Sequence, residues 1–363
     1  MKKFFIIALI FSLSFSIFCK ERITLNDTLI SYRNAITEFD NQNYGLSLKY
    51  CEEAILYRRQ LIDFQIETLK NSLGANRVRA VGDKIDDVLK ILNERKETES
   101  ISIINYYIRK FGIERFDNSI SNLQKFIESS KTFPEVHKLM GDIYQLEGEY
   151  EFAEEYYLSA LSNASVLDVP EEKYEILYNL AELSRLQGDF NEMEIRLLNI
   201  LTEDSNYKDS ALINSMKNTI AANRKDSVEK LFKLYRADSF KCIKAYNILC
   251  DYYYSVSEKE RALSFAALSV ITSFTNICES IESRSSVYEY ENLEKFFQEC
   301  SFYEDIIEWG NDNGVWESFN NLAKICIETG NKVFARELLN SLAQFSPVVY
   351  WQKDAVLMLE NLD

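Results

Sequence analysis

Scarcity of glycine and proline is the feature that most restricts the fold of this 363-residue chain, which contains 10 glycines and 3 prolines. Both counts lie far below average usage. Tight turns are built mostly from these residue types, so the chain has few sharp reversals. Leu, Ile, Glu, Lys and Ala dominate its composition, which favours helix. Because Pro134, Pro170 and Pro347 lie between predicted helix pairs, the sequence predicts an all-α protein.

Small and apolar residues around Gly141 have the spacing of two short antiparallel helices. Those that share its register are His137, Met140, Tyr144, Gly148, Tyr150, Ala153, Tyr157 and Ala160. The same offsets recur from Ala181, Cys250 and Ala323, and in the copy at Cys250 the turn glycine is replaced by Ser257. The chain therefore contains several related helical hairpins.

This register resembles the tetratricopeptide repeat, a family of paired antiparallel helices in which small residues mark the closest crossing. Looser copies centre on Ala35 and Tyr107. The resemblance implies an α-α solenoid whose stacked hairpins present a concave face, lined by the first helix of each pair. Residues 209–237 and 286–309 fall in the long intervals between copies, and we expect degenerate intervening helices there.

Four segments are predicted along the chain. They are a signal peptide over 1–19, an N-terminal degenerate hairpin with a long amphipathic helix over 23–102, repeats over 103–204, and degenerate helices with C-terminal repeats over 205–363. The amphipathic helix is expected within 62–99, where one apolar face comprises Val78, Val81, Ile85, Val88, Leu89 and Leu92. Packing within the chain, a dimer contact and a free-standing helix are all open for it.

The first residues are typical of a bacterial export signal. Two lysines follow Met1, and residues 4–18 carry no charge, which is the length of a signal peptide rather than of a membrane span. Cys19 stands where a lipoprotein carries its lipid, although Phe18 is bulkier than a lipobox prefers. Cleavage after Ser16 without lipidation and an uncleaved anchor are the alternatives. We expect an exported protein, periplasmic or envelope-associated, and lipid-anchored if Cys19 is acylated.

Six further cysteines are Cys51, Cys242, Cys250, Cys278, Cys300 and Cys326. An even number in an exported protein is compatible with disulfides. Several of them fall on apolar helix faces, where a free cysteine behaves as a small apolar side chain. Reduced, buried thiols are therefore the favoured prediction.

Charge and composition argue against several functions. The formal net charge of −16 opposes binding to nucleic acid and to anionic lipid. The single histidine, His137, excludes a histidine-rich metal site, and no glycine-rich phosphate loop is present. The uncharged stretch 262–278 is interrupted by hydroxyl side chains and is expected to be a buried helix rather than a membrane span. We predict no enzyme activity, cofactor or metal.

The resemblance implies that a partner binds side chains on the concave face. The predicted binding residues are Lys138, Asp142, Gln145, Tyr178, Glu182, Arg185, Asn247, Asp251 and Tyr254. Such a mixed surface suits a peptide or helix, although an ordinary solvated face explains it too. The predicted function is an exported scaffold or adaptor for protein partners in the cell envelope. The alternatives are a ligand-binding accessory protein of a solute transporter, with a pocket lined by tyrosines, and a peptidoglycan-acting enzyme with a glutamate in a deep cleft.

Overall fold

The computed structural model describes residues 24–74, 82–237, 241–285 and 287–362. Within these ranges the chain forms helices and no strands, so the all-α prediction is confirmed. The chain divides into two compact units, one ending at Ile176 and the other beginning at Leu177. The predicted signal peptide and Cys19 lie outside the described residues. The segment boundaries given above stay predictions.

The N-terminal unit is built from helices joined by short connections. They are α1 (Leu25–Asp40), α2 (Tyr44–Leu73), α3 (Ile85–Glu94), α4 (Thr98–Phe111), α5 (Ile120–Ser129), α6 (Pro134–Glu147) and α7 (Tyr150–Ser162). One apolar core joins α1, α2 and α6 through residues such as Ala35, Cys51 and Val136. A second core joins the end of α2 to α3, α4 and α5. Phe116, which the register at Tyr107 puts on a second helix, is buried in the short 3-10 turn Glu114–Phe116 instead.

The long amphipathic helix predicted within 62–99 is wrong as a single element. Helix α2 ends at Leu73, and the next helix in the described chain begins at Ile85. Between them Gly82 has a φ of +96°, a conformation that interrupts a helix. Asp83 binds the start of α5: its backbone oxygen accepts a 2.8 Å hydrogen bond from the N–H of Ile120. The chain at Gly82 and Asp83 is therefore not helical.

The remaining helices belong to the C-terminal unit. The first of them begins at Glu172, shortly before the start of that unit at Leu177. They are α8 (Glu172–Leu186), α9 (Phe190–Leu201), α10 (Ser205–Lys208), α11 (Ser210–Ala221), α12 (Ser227–Leu234), α13 (Ile243–Ser255), α14 (Lys259–Glu282), α15 (Leu293–Cys300), α16 (Glu304–Asp312), α17 (Val315–Glu328), α18 (Lys332–Phe345) and α19 (Val349–Glu360). Helices occur in both intervals where the sequence predicts them, 209–237 and 286–309.

Helix α14 is the central helix of this unit and contacts α13, α11, α15 and α17. Within the described ranges one helix, α14, is long enough and apolar enough to cross a membrane. However, 83% of its most apolar stretch is buried in the protein. Its hydroxyl groups face the interior as well: the Ser269 hydroxyl donates to Asn247 Oδ1 at 2.6 Å, and the Ser318 hydroxyl donates to that of Ser273 at 3.0 Å. The stretch 262–278 is therefore part of a buried helix, as predicted.

Six helix pairs in the described ranges are joined by the same backbone turn. One is at Lys96, between α3 and α4, where the sequence predicts no copy of the register. The left-handed residues of the other five, Gln42, Gly148, Gly188, Ser257 and Gly330, have φ between 61° and 81°. Each donates its N–H to the carbonyl three residues earlier, and the next N–H reaches the carbonyl five residues earlier, at 2.7 to 3.2 Å. This is the Schellman ending, in which glycine is favoured because a left-handed residue with a Cβ is strained. Each residue lies at the same distance from the anchor of its copy.

The copy around Gly141 shows why its anchor is a glycine. Tyr157 of α7 is buried against α6, and a Cβ added to Gly141 would lie 2.6 Å from two carbons of its ring. Ala153 and Ala160 of α7 are fully buried. The closest crossing of these two helices therefore depends on the absence of a side chain at Gly141.

The six described cysteines are all buried and none is in a disulfide. Burial raises the pKa of the Cys51 and Cys278 thiols to about 12. At neutral pH these groups are thiols rather than reactive thiolates. Among the described residues the structure therefore agrees with the prediction of reduced, buried cysteines.

Candidate functional site

The three predicted residues of α6 contact side chains of their own unit. Lys138 forms an ion pair with Glu175, whose charge and hydrogen bond raise the lysine pKa although burial opposes this. The Tyr157 hydroxyl lies 2.7 Å from Asp142 Oδ1 and 2.9 Å from Gln145 Oε1. Asp142 and Gln145 therefore orient the ring that packs on Gly141, besides any contact with a partner.

The predicted residues of α8 differ from one another in exposure. The prediction that Tyr178 is open to a partner is wrong, because Tyr178 is buried. Its hydroxyl donates to the Lys241 carbonyl at 2.6 Å and accepts from the Ala245 N–H at 3.2 Å. Glu182 and Arg185 are largely exposed and form a two-bond ion pair at 2.6 and 2.7 Å. Tyr178 thus fixes the start of α13, and the other two remain on the surface.

Asn247 is also buried rather than open to a partner, with 4% of its surface exposed. Its amide nitrogen donates to the Gly314 carbonyl at 2.8 Å, and its amide oxygen accepts from Ser269 at 2.6 Å. A Cβ at Gly314 would lie 2.8 Å from that nitrogen, so this glycine permits the close approach. The sequence assigned a binding role to Asn247, but its amide joins three parts of the core.

The two contacts that follow define a surface between α13 and α17. Asn247 touches Gly314 just before α17, and two helical turns further along α13 the Tyr254 ring lies 4.4 Å from Lys324 Nζ. Asp251 lies between Asn247 and Tyr254 on the same face of α13, because residues three or four apart are neighbours on a helix. Glu317 lies in the corresponding interval of α17. Asp251 and Glu317 therefore both lie between the two contacts that join α13 to α17.

Electrostatics supports this proximity. Asp251 is exposed and Glu317 is half-buried, but desolvation by neighbouring protein atoms is the main cause of the raised pKa of both carboxyl groups. The carboxylate of Asp251 raises the pKa of Glu317 further, and Lys324 opposes both shifts. Asn321, one turn after Glu317, is buried, and its Nδ2 has no hydrogen-bond partner among the described residues. We call the set Asp251, Tyr254, Glu317, Asn321 and Lys324 the acidic face.

Three members of the acidic face, Glu317, Asn321 and Lys324, are absent from the predicted site. A signal for them exists in the sequence. Counted from the anchors Cys250 and Ala323, Asp251 and Lys324 occupy equivalent positions. Applying the register to the fourth hairpin would have identified α17 as the other side of the surface.

The single histidine packs at the edge of the core of its hairpin. His137 Nδ1 lies 2.8 Å from the Ser159 hydroxyl, and its ring packs edge-on against Tyr156. Burial lowers the pKa of His137, and the charge of Arg59 lowers it further. In a catalytic triad a carboxylate would instead stabilise the protonated ring. The described ranges also contain no group of three or more His, Cys, Asp or Glu side chains that could hold a metal ion.

Comparison with known proteins identifies a relative but no family. No protein-family model matches the chain. An uncharacterized protein of Treponema pallidum (strain Nichols) is 27% identical over 325 residues, which cover 88% of this chain and 86% of that protein. The similarity thus extends over most of both chains, and it assigns no function.

Proposed function

We propose that this protein is an exported scaffold of the bacterial cell envelope that binds a protein partner on the acidic face, within an α-α solenoid of tetratricopeptide-like hairpins. Five of the six Schellman turns lie at the same distance from the anchor of a predicted copy, and this common position supports the repeat interpretation. The pair Asp251 and Glu317 is the observation that carries the binding function. A partner cation bound beside both carboxyl groups, in addition to Lys324, would offset the desolvation of their ionised forms.

The chemistry of the acidic face indicates what the partner presents. An ammonium or guanidinium group bound between Asp251 and Glu317 would favour the ionised form of both carboxyl groups. A lysine or arginine side chain of a partner supplies such a cation. A segment of polypeptide is thus the ligand class that satisfies these side chains.

The envelope location rests on residues 1–19 alone, through their charge pattern and Cys19. Lipidation of Cys19 stays a prediction, which the mass of the mature N-terminal peptide would test. An accessory ligand-binding protein and a peptidoglycan-acting enzyme also stay predictions, as does the expectation that the protein is not an enzyme.

Photo-crosslinking in intact cells tests the proposal. A photoreactive phenylalanine analogue replaces Tyr254 in the acidic face, and a matched control replaces Leu234, which is 67% exposed on α12. We expect one discrete protein adduct from position 254 and none from position 234. The adduct should disappear when Asp251→Lys and Glu317→Lys reverse the charge. An unchanged adduct in that variant, or none at position 254, would contradict the proposal.

A further inference from the structure

We propose a second docking surface, outside the acidic face, which takes a cationic amphipathic helix of a partner protein. It is a groove of about 1020 Å³ between residues 287–291, helix α15 and the connection from α18 to α19. We call it the C-terminal groove. Its apolar lining includes Val287, Phe302 and Phe345.

The apolar side chains of the groove are unusually exposed. Val287 is 90% exposed and Phe302 is 76% exposed, whereas the phenylalanines within α15, Phe296 and Phe297, are fully buried. Covering such side chains removes apolar surface from water, so a partner that buries both would gain binding free energy. Two large apolar side chains at one groove are typical of a protein interaction site.

The charge of the groove determines which partner fits. Glu289, Glu291 and Glu299 line it, and Lys295 is the one basic side chain of its lining. Lys295 forms an ion pair with Glu291, so the charges of Glu289 and Glu299 are not offset within the groove. Complementarity therefore requires a cationic partner, and the overall charge of −16 would speed its approach. A second copy of this acidic chain would be repelled.

The shape favours a helix as the occupant. The volume lies just above the usual range of about 300–1,000 Å³ for small-molecule pockets, and the site is partly open to solvent. An amphipathic helix places apolar side chains at i, i+3, i+4 and i+7 into such a groove and leaves its polar edges at the rim. Lysine or arginine side chains on those edges would meet Glu289 and Glu299, while the apolar stripe covers Val287 and Phe302.

Fluorescence anisotropy of the full-length protein tests this inference. The probe is a labelled 18-residue peptide of leucine and lysine with leucines at helical spacing, and its control is a permuted peptide of the same composition. We expect a dissociation constant on the order of 10 µM for the helical peptide and at least tenfold weaker binding of the permuted one. Phe302→Ser and the double variant Glu289→Lys/Glu299→Lys should each weaken binding about tenfold.

Matched controls separate the groove from general attraction to an acidic protein. Phe152→Ser removes another exposed phenylalanine, and Glu94→Lys/Glu147→Lys reverses two exposed acids elsewhere. These controls should keep wild-type affinity. Equal binding of both peptides, or equal loss in groove and control variants, would overturn the inference. So would light scattering that shows a wild-type dimer and a Phe302→Ser monomer, because a second copy would then occupy the groove.

Discussion

Replacing Gly141 by alanine perturbs one defined contact, the crossing of α6 and α7. The added Cβ would lie 2.6 Å from Cδ1 and Cε1 of Tyr157, where an ordinary carbon–carbon contact is about 3.5–4.0 Å. The ring must therefore move by roughly 1 Å. Its hydroxyl lies 2.7 Å from Asp142 and 2.9 Å from Gln145, so the movement also strains two hydrogen bonds.

Two opposing terms set the magnitude of the change in unfolding free energy. Overpacking of a close-packed core costs about 1–3 kcal/mol, and each strained hydrogen bond costs up to about 1 kcal/mol more. Alanine gains about 1 kcal/mol over glycine from helix propensity. We therefore expect Gly141→Ala to lower the free energy of unfolding by about 1–3 kcal/mol. Gly45→Ala is the control, because nothing lies within 4 Å of its added Cβ and it should be neutral or stabilising.

Hydrogen exchange of the amides in α6 and α7 measures this change locally. All three tryptophans lie in the unit that begins at Leu177, so their fluorescence does not report on these helices. Exchange protection in α6 and α7 should fall in Gly141→Ala, and fall less when Tyr157→Leu has already removed the ring. Unchanged or increased protection in the single variant would refute the reasoning, since the crossing would then have room for a Cβ.

Three further predictions concern the C-terminal unit. Asn247→Ala should lower the free energy of unfolding by about 2–4 kcal/mol, because it leaves the Gly314 carbonyl buried without its donor. Urea unfolding followed by tryptophan fluorescence measures this, and a loss no larger than that of an ordinary surface change would refute it. Ser257→Gly should raise the unfolding free energy by about 0.5–1 kcal/mol by relieving a left-handed φ, whereas Gly188→Ala should lower it; the same sign for both would count against the argument. Asp251→Asn should change the pH dependence of stability. Because the folded-state pKa of Asp251 is raised, the folded state holds its proton longer than the unfolded state, and stability falls as pH rises from about 3.8 through the folded pKa. The variant should show a smaller fall, because the raised pKa of Glu317 still contributes, and urea midpoints across that range would show the difference.

The helices and their turns are predictable because their determinants are local. Small residues at helix crossings and a residue that accepts positive φ recur at fixed intervals in the sequence. Ser257 shows how strong this constraint is: it adopts φ +64° where the equivalent residues Gly148, Gly188 and Gly330 have no side chain. The position in the register predicts the backbone conformation even where the favoured residue is missing.

The break after α2 is harder to predict because the apolar period continues through it. In the sequence, Val78 and Val81, which lie outside the described residues, keep the same spacing as the residues of α3. Gly74 and Gly82 weaken a helix without locating its end. The hydrogen bonds that fix the break come from α5, where Ser121 donates its N–H to Asp83 Oδ1 at 3.0 Å. A partner that distant in the sequence leaves no local pattern.

The candidate site was only partly predictable for the same reason. Asp251 and Tyr254 follow from the register, and they do line the acidic face. Asn247 and Tyr178 occupy equivalent positions of their helices. Both are nevertheless buried, and each donates a hydrogen bond to a backbone carbonyl far along the chain. A register shows which face of a helix a residue occupies, but it does not show what packs against that face.

The most direct test of the central claim compares hydrogen exchange in two samples. One is the protein joined to its partner through the crosslinker at position 254, and the other is the free protein. Partner binding at the acidic face predicts added protection in α13 (Ile243–Ser255) and α17 (Val315–Glu328). Occupation of the C-terminal groove as well would add protection in α15 (Leu293–Cys300). Protection that leaves α13 and α17 unchanged would contradict the claim that the acidic face holds the partner.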